Sequence, residues 1–215
     1  MAPNARRLDD QGRKAERLAL DQPTRLRPNG WSSCEARMRD LSSLGFRARQ
    51  EGDLDLARRL HEEALSWYRT IEWLGGTAVA RAGLAAVAHA EGGLEQAEAL
   101  YRQALDDAEA SGDGHGLAVV LEGLAGLAIR LGDAERAGLL LGGADAIRAK
   151  EAIQRIQVEQ RDVDRIRDIG ATVCGRECFW RTIEEGERAS PADAVQLARE
   201  ALVASSSTSA VTGSD

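Results

Sequence analysis

The chain of 215 residues is short of cysteine, of aromatic residues, of lysine and of long apolar runs, and each shortage excludes something. Three cysteines cannot all pair with one another, which excludes a disulfide scaffold and points to a reducing compartment. No run approaches the roughly 18 apolar residues of a membrane helix. The opening stretch, MAPNARRLDDQGRKAERLAL, lacks the apolar core of a secretory signal, so the expectation is a cytoplasmic chain with no membrane partner. Lysine is confined to Lys14 and Lys150, which leaves no phosphate-cradling GxxxxGK[ST] loop and hence no nucleotide-hydrolysing core. The other basic residues are arginines, a bias expected of a GC-rich bacterial genome. With a net charge of −7 and no basic stripe in the part expected to be ordered, the chain is expected to make no direct contact with nucleic acid. Residues 1–33 hold Pro3, Pro23 and Pro28 in a polar, arginine-rich stretch without apolar periodicity, and are expected to be disordered.

What is abundant is alanine, glycine and leucine, in a repeat of period 40. Gly52-Asp53-Leu54, Gly92-Gly93-Leu94 and Gly132-Asp133-Ala134 mark it. Behind each glycine follow Ala57, Ala97 and Ala137, then His61, Tyr101 and Leu141, then Ala64, Ala104 and Ala144. Ahead of each stand Leu44-Gly45, Leu84-Ala85 and Leu124-Ala125, and then Ala48, Ala88 and Ala128. Spacings of three and four place these residues on one face of a helix on each side of the glycine. The glycine ends the first helix in a left-handed conformation, and Asp53 or Asp133 caps the second. Trp67–Gly76 and Ala108–Gly116, with Gly75-Gly76 and Gly112-Asp113-Gly114, read as turns between hairpins.

Beyond Ala149 the period fails. Glu151–Ile169 carries Ile153, Ile156, Val163 and Ile166 on a drifting stripe, expected of a solvated helix docked by one edge. Ser190, Pro191 and Asp193 make a capping-box-like start to a last helix, and Ser205–Asp215 reads as a disordered tail.

Leu84-Ala85, Ala88, Ala97, Tyr101 and Ala104 resemble the tetratricopeptide repeat, although Arg81 stands where Leu41 and Leu121 supply the large residue and the closing proline is absent. The ending, with Gly175, Phe179, Glu185, Gly186, Ser190, Ala194 and Val195, resembles the C-terminal repeat domain of large actinobacterial transcriptional regulators that contain a signalling ATPase. The resemblance implies an all-α fold: a tetratricopeptide-like α-solenoid of antiparallel helical hairpins over 34–149, with a C-terminal helical cap over 150–204. It also implies a non-enzymatic module that binds a protein or peptide in signal transduction or transcription regulation. The alternatives are a self-associating scaffold, with Glu151–Ile169 pairing in a homo-oligomer, or a fragment of a longer ATPase-type regulator.

In such folds the first helices line the concave face, and the register puts Arg39, Phe46, Arg49, His89, Glu122 and Arg130 there over a floor of Ala82, Ala86 and Gly126. These are the candidate partner-binding residues, against a background expectation that any one of them is an ordinary solvated side chain. Cys174 and Cys178, four apart on an expected helix, are better read as small buried residues than as metal ligands or a redox pair. His61 occupies an aromatic slot and is expected in the core; His115, between two glycines, reads as a turn residue. Trp31, Trp67, Trp73 and Trp180 are expected to anchor loops. No nucleophile–base pair or paired acid and base appears, so no catalytic residue, cofactor or metal is assigned.

Overall fold

The computed structural model describes the backbone of residues 41–212 and the side chains of residues 41–202, all within one compact unit. The expectations for residues 1–33, Trp31 and Arg39 lie outside the described residues. Among the described residues there are nine helices and no strand. They are α1, described over 41–50, α2 (Leu54–Thr70), α3 (Leu74–Ala90), α4 (Leu94–Ser111), α5 (Gly114–Arg130), α6 (Ala134–Glu151), α7 (Gln157–Cys174), α8 (Arg176–Glu187) and α9 (Pro191–Thr212).

Each helix from α1 to α6 stops at a residue with positive φ, and these stops fall every twenty residues: Gly52 (φ 85°), Glu72 (55°), Gly92 (88°), Gly112 (65°), Gly132 (82°) and Ala152 (55°). At four of them glycine takes the left-handed conformation without steric cost. Glu72 and Ala152 do so with a Cβ, at a cost on the order of 1 kcal/mol each. The amide two positions after the last full turn then reaches back, as in Asp53 N to Ala48 O at 2.9 Å and Trp73 N to Tyr68 O at 2.9 Å. Asp53, Asp113 and Asp133 accept from the backbone of Leu56, His115 and Arg136 at 3.0–3.1 Å and start the following helices.

Two expectations are corrected by this pattern. Gly75 and Gly76 are not turn residues: the turn is at Glu72, and both glycines lie buried inside α3. Their role is close approach, since a Cβ on Gly76 would stand 2.5 Å from the Tyr68 ring. His115 likewise sits in the first turn of α5, because Asp113 caps that helix directly after the left-handed Gly112.

Consecutive helices from α2 to α6 pack on one another, and α3 also packs on α5. The small residues set the spacing. A Cβ on Gly45 would meet the His61 ring at 2.6 Å, a Cβ on Gly83 would meet the same ring more closely still, and Gly123 would meet Tyr101 at 2.7 Å. His61 and Tyr101, one period apart, thus each lie against a glycine of a first helix, fully buried. Arg81, out of place in the repeat, forms a half-buried ion pair with Asp107 of α4.

At the C-terminal end α8 packs on α6, and α9 packs on α4, α5 and α6. Gly142 of α6 and Gly186 of α8 bring the two backbones together: a Cβ on Gly142 would stand 2.7 Å from Glu187 N and closer still to the Ile183 carbonyl. Phe179, Ile183, Ala198 and Leu202 are buried there. The Ser190 and Asp193 capping box is formed, with Ser190 N to Asp193 Oδ2 at 3.0 Å and Asp193 N to Ser190 Oγ at 3.2 Å. The backbone of α9 stays helical to Thr212, past the break expected at 205. Once a docked helix has been nucleated, adding further turns costs little.

Candidate binding site between the first helices and helix α7

The repeat brings equivalent positions together. Phe46, Ala86 and Gly126 are one period apart, as are Arg49, His89 and Ile129, and each set projects from the same face of α1, α3 and α5. Five of the six candidate residues, Phe46, Arg49, His89, Glu122 and Arg130, line one cavity of about 350 Å³, over the expected floor of Ala82, Ala86 and Gly126. Arg39, the sixth, lies outside the described residues.

The cavity has a roof that the periodicity does not reveal. Helix α7 is docked by one stripe with its opposite side exposed, as expected of a solvated helix held by one edge, and that stripe packs on α5, α6 and α8 and reaches α1. Its apolar stripe, Val163 and Ile166, is buried, with Ile166 Cδ1 over Gly126. Ile156, assigned to that stripe, lies at the start of the helix and is exposed, because α7 begins only after a loop over 152–156. Glu159, Asp162, Arg165, Ile166 and Ile169 supply the cavity's second wall, and Tyr101 and Val119 complete its base.

Ion pairs hold α7 in place. Arg49 pairs with Asp162, and Gln50 Nε2 donates to Val158 O at 2.8 Å. Glu122 accepts from Arg148 Nε at 2.7 Å and from Arg155 Nε at 2.8 Å. Arg148 Nη2 also donates to Glu159 at 3.1 Å, and Glu159 accepts from Ile156 N at 3.2 Å. Asp145 joins Arg155 to Arg167, the latter at 2.7 Å. Burial is the main influence on Glu159 and raises its carboxyl above the usual range, against the opposing pull of Arg148. Glu122 and Arg148 are both nearly inaccessible, so each carries a charge whose desolvation is offset only by the other members of the network.

The acids lining the cavity are therefore all paired. Among the bases, Arg130 and Arg165 make no hydrogen bond or ion pair among the described residues. His89 lines the same cavity; burial first, then the charges of Arg130 and Arg49, depress its pKa to about 4, so the ring is neutral near neutral pH. Arg49 Nε is buried without an acceptor.

Elsewhere, His61 is in the core as expected, edge-on to Phe46 at 4.8 Å between ring centres, with neither ring nitrogen hydrogen-bonded. His115 Nε2 lies 3.9 Å from Glu159 Oε1. Cys174 and Cys178 are free thiols, but they do not share a helix: Gly175 (φ 88°) ends α7, and Cys178 belongs to the first turn of α8. Cys174 Sγ donates to Gly170 O at 3.5 Å. Among the described residues no group of three His, Cys, Asp or Glu is placed to hold a metal ion, and no helix is long and apolar enough to cross a membrane. Trp73 packs edge-on to Tyr68, and Arg167 lies over the half-exposed Trp180 ring.

Compared with protein-family models, with curated proteins and with solved structures, the chain has no match.

Proposed function

We propose that this chain is a non-enzymatic binding module, a tetratricopeptide-like stack of helical hairpins that presents the face of α1, α3 and α5 to a protein or peptide partner. In this reading it serves as the interaction or sensor arm of a bacterial signalling or transcriptional regulator. The observation that carries the reading is the seating of α7: the face already holds a helix, through Arg49 to Asp162 and Gln50 to the Val158 carbonyl. Grooves of this kind take amphipathic helices by apolar anchors and a few fixed polar contacts. A partner helix with a carboxylate in the place of Asp162 competes with α7 for the same arginine.

The pairing of Arg49 also decides how the reading is tested, because replacing Arg49 would loosen α7 as well as remove a contact to the partner. Arg130, which makes no ion pair among the described residues, is the cleaner probe. Affinity capture from cells that express the protein compares wild type, Arg130→Glu and Asp162→Ala, each checked for its helical content. A defined protein held by wild type, lost with Arg130→Glu and enriched with Asp162→Ala is the expected outcome. Identical captured sets for all three overturn it.

A further inference from the structure

The cavity under α7 has a chemistry of its own that does not depend on a protein partner. One part is apolar: Phe46, Ala82, Ala86, Val119, Ile166 and Ile169 face it. The other is cationic. Glu122, Glu159 and Asp162 are each neutralised by Arg148, Arg155 or Arg49, which leaves Arg130 and Arg165 with no acidic partner among the described residues, one on α5 and one on α7. Two arginines facing one space repel each other, and an anion between them relieves that repulsion while taking charge-assisted hydrogen bonds from both. A volume of about 350 Å³ is at the small end of the range for ligand pockets. It suits a small molecule and is too small for a folded partner.

We infer that the space between α5 and α7 is a binding site for a small organic anion, a carboxylate carried on an apolar chain or ring, with Arg130 and Arg165 holding the anionic group and Phe46, Ala86 and Ile169 enclosing the apolar body. Because Arg165 belongs to α7 and Arg130 to α5, such a ligand clamps α7 onto the face it covers. The site therefore couples a small molecule to the helix that a protein partner would have to displace.

The test is calorimetric titration of the intact chain with octanoate and with 4-phenylbutyrate, alongside 1-octanol, which lacks the charge, and inorganic phosphate, which lacks the apolar body. Saturable binding of a carboxylate, at least about tenfold tighter than octanol and phosphate, is expected; each comparison then reports ~1.4 kcal/mol. Arg130→Gln/Arg165→Gln should weaken it at least about tenfold. Both side chains are exposed, so their replacement leaves the core untouched. Ala86→Phe, which fills the apolar part, should abolish binding of both carboxylates while the arginines remain. The inference is overturned if neither carboxylate saturates up to millimolar concentration, if octanol or phosphate binds equally well, or if both variants bind like wild type. Any of these results leaves the capture experiment for a protein partner unaffected.

Discussion

Acid lability caused by one core histidine is the prediction with the clearest sign. His61 is fully buried beside Phe46, against Gly45 and Gly83, and neither ring nitrogen has a hydrogen-bond partner among the described residues. Burial, reinforced by the charge of Arg49, lowers its pKa from 6.5 to about 3. Below about pH 6.5 the unfolded chain therefore takes up a proton that the folded chain refuses. The stability associated with a neutral His61 is complete above the unfolded value and falls as pH drops toward the folded one. The loss is ~1.4 kcal/mol per pH unit in that window, so about 3 kcal/mol has gone by about pH 4. His61→Phe keeps a flat ring in a slot where Tyr101 shows that an aromatic fits one period later, and it removes the titration. Urea unfolding followed by circular dichroism from about pH 7 to about pH 4 should give curves that diverge as pH falls, the variant losing less stability at every step. Crowding by the larger ring shifts the whole variant curve and leaves the difference in slope. Parallel curves for the two proteins would refute the assignment of a buried, neutral, unpartnered His61.

Two further perturbations address the backbone. Glu72→Gly and Ala152→Gly each relieve a left-handed residue that carries a Cβ and should stabilise the chain by about 0.5–1 kcal/mol, additively, since the sites are in different turns. Chemical unfolding of the single and double variants measures this, and a loss of stability would mean that the side chains contribute more than the strain costs. Gly142→Ala forces a methyl onto the backbone of α8, which no rotamer change relieves, and should cost upwards of ~2 kcal/mol; an unchanged melting temperature would mean that α6 and α8 are not in backbone contact.

The division between what was legible in the sequence and what was not follows from the range of the interactions. Local rules placed Gly52, Gly92 and Gly132 at helix ends, Asp53 and Asp133 at helix starts, and His61 and Tyr101 in the core, because capping and amphipathic spacing act within a turn or two of the chain. The same register put Phe46, Arg49, His89, Glu122 and Arg130 on one face, since a repeat of fixed length superimposes equivalent positions. Two of the six stops have no glycine to mark them, because Glu72 and Ala152 take the left-handed conformation with a side chain. For the same reason Gly75 and Gly76 looked like a turn, when what they satisfy is the nearness of Asp113 and Tyr68.

The sequence by itself determined the helical character of the described residues and the positions of several helix ends, which rest on contacts a few residues apart, and the shared face of the first helices, which rests on the fixed period. Where α7 goes was decided only by tertiary structure. Its charges look solvated when read along the helix, but Asp162 finds Arg49 more than a hundred residues away and Glu159 finds Arg148 across a loop. Those pairings turn an open face into a roofed cavity and leave Arg130 and Arg165 lining it without a counter-charge among the described residues. Which charges remain unbalanced depends on distances in space, and the order of residues along the chain does not contain them.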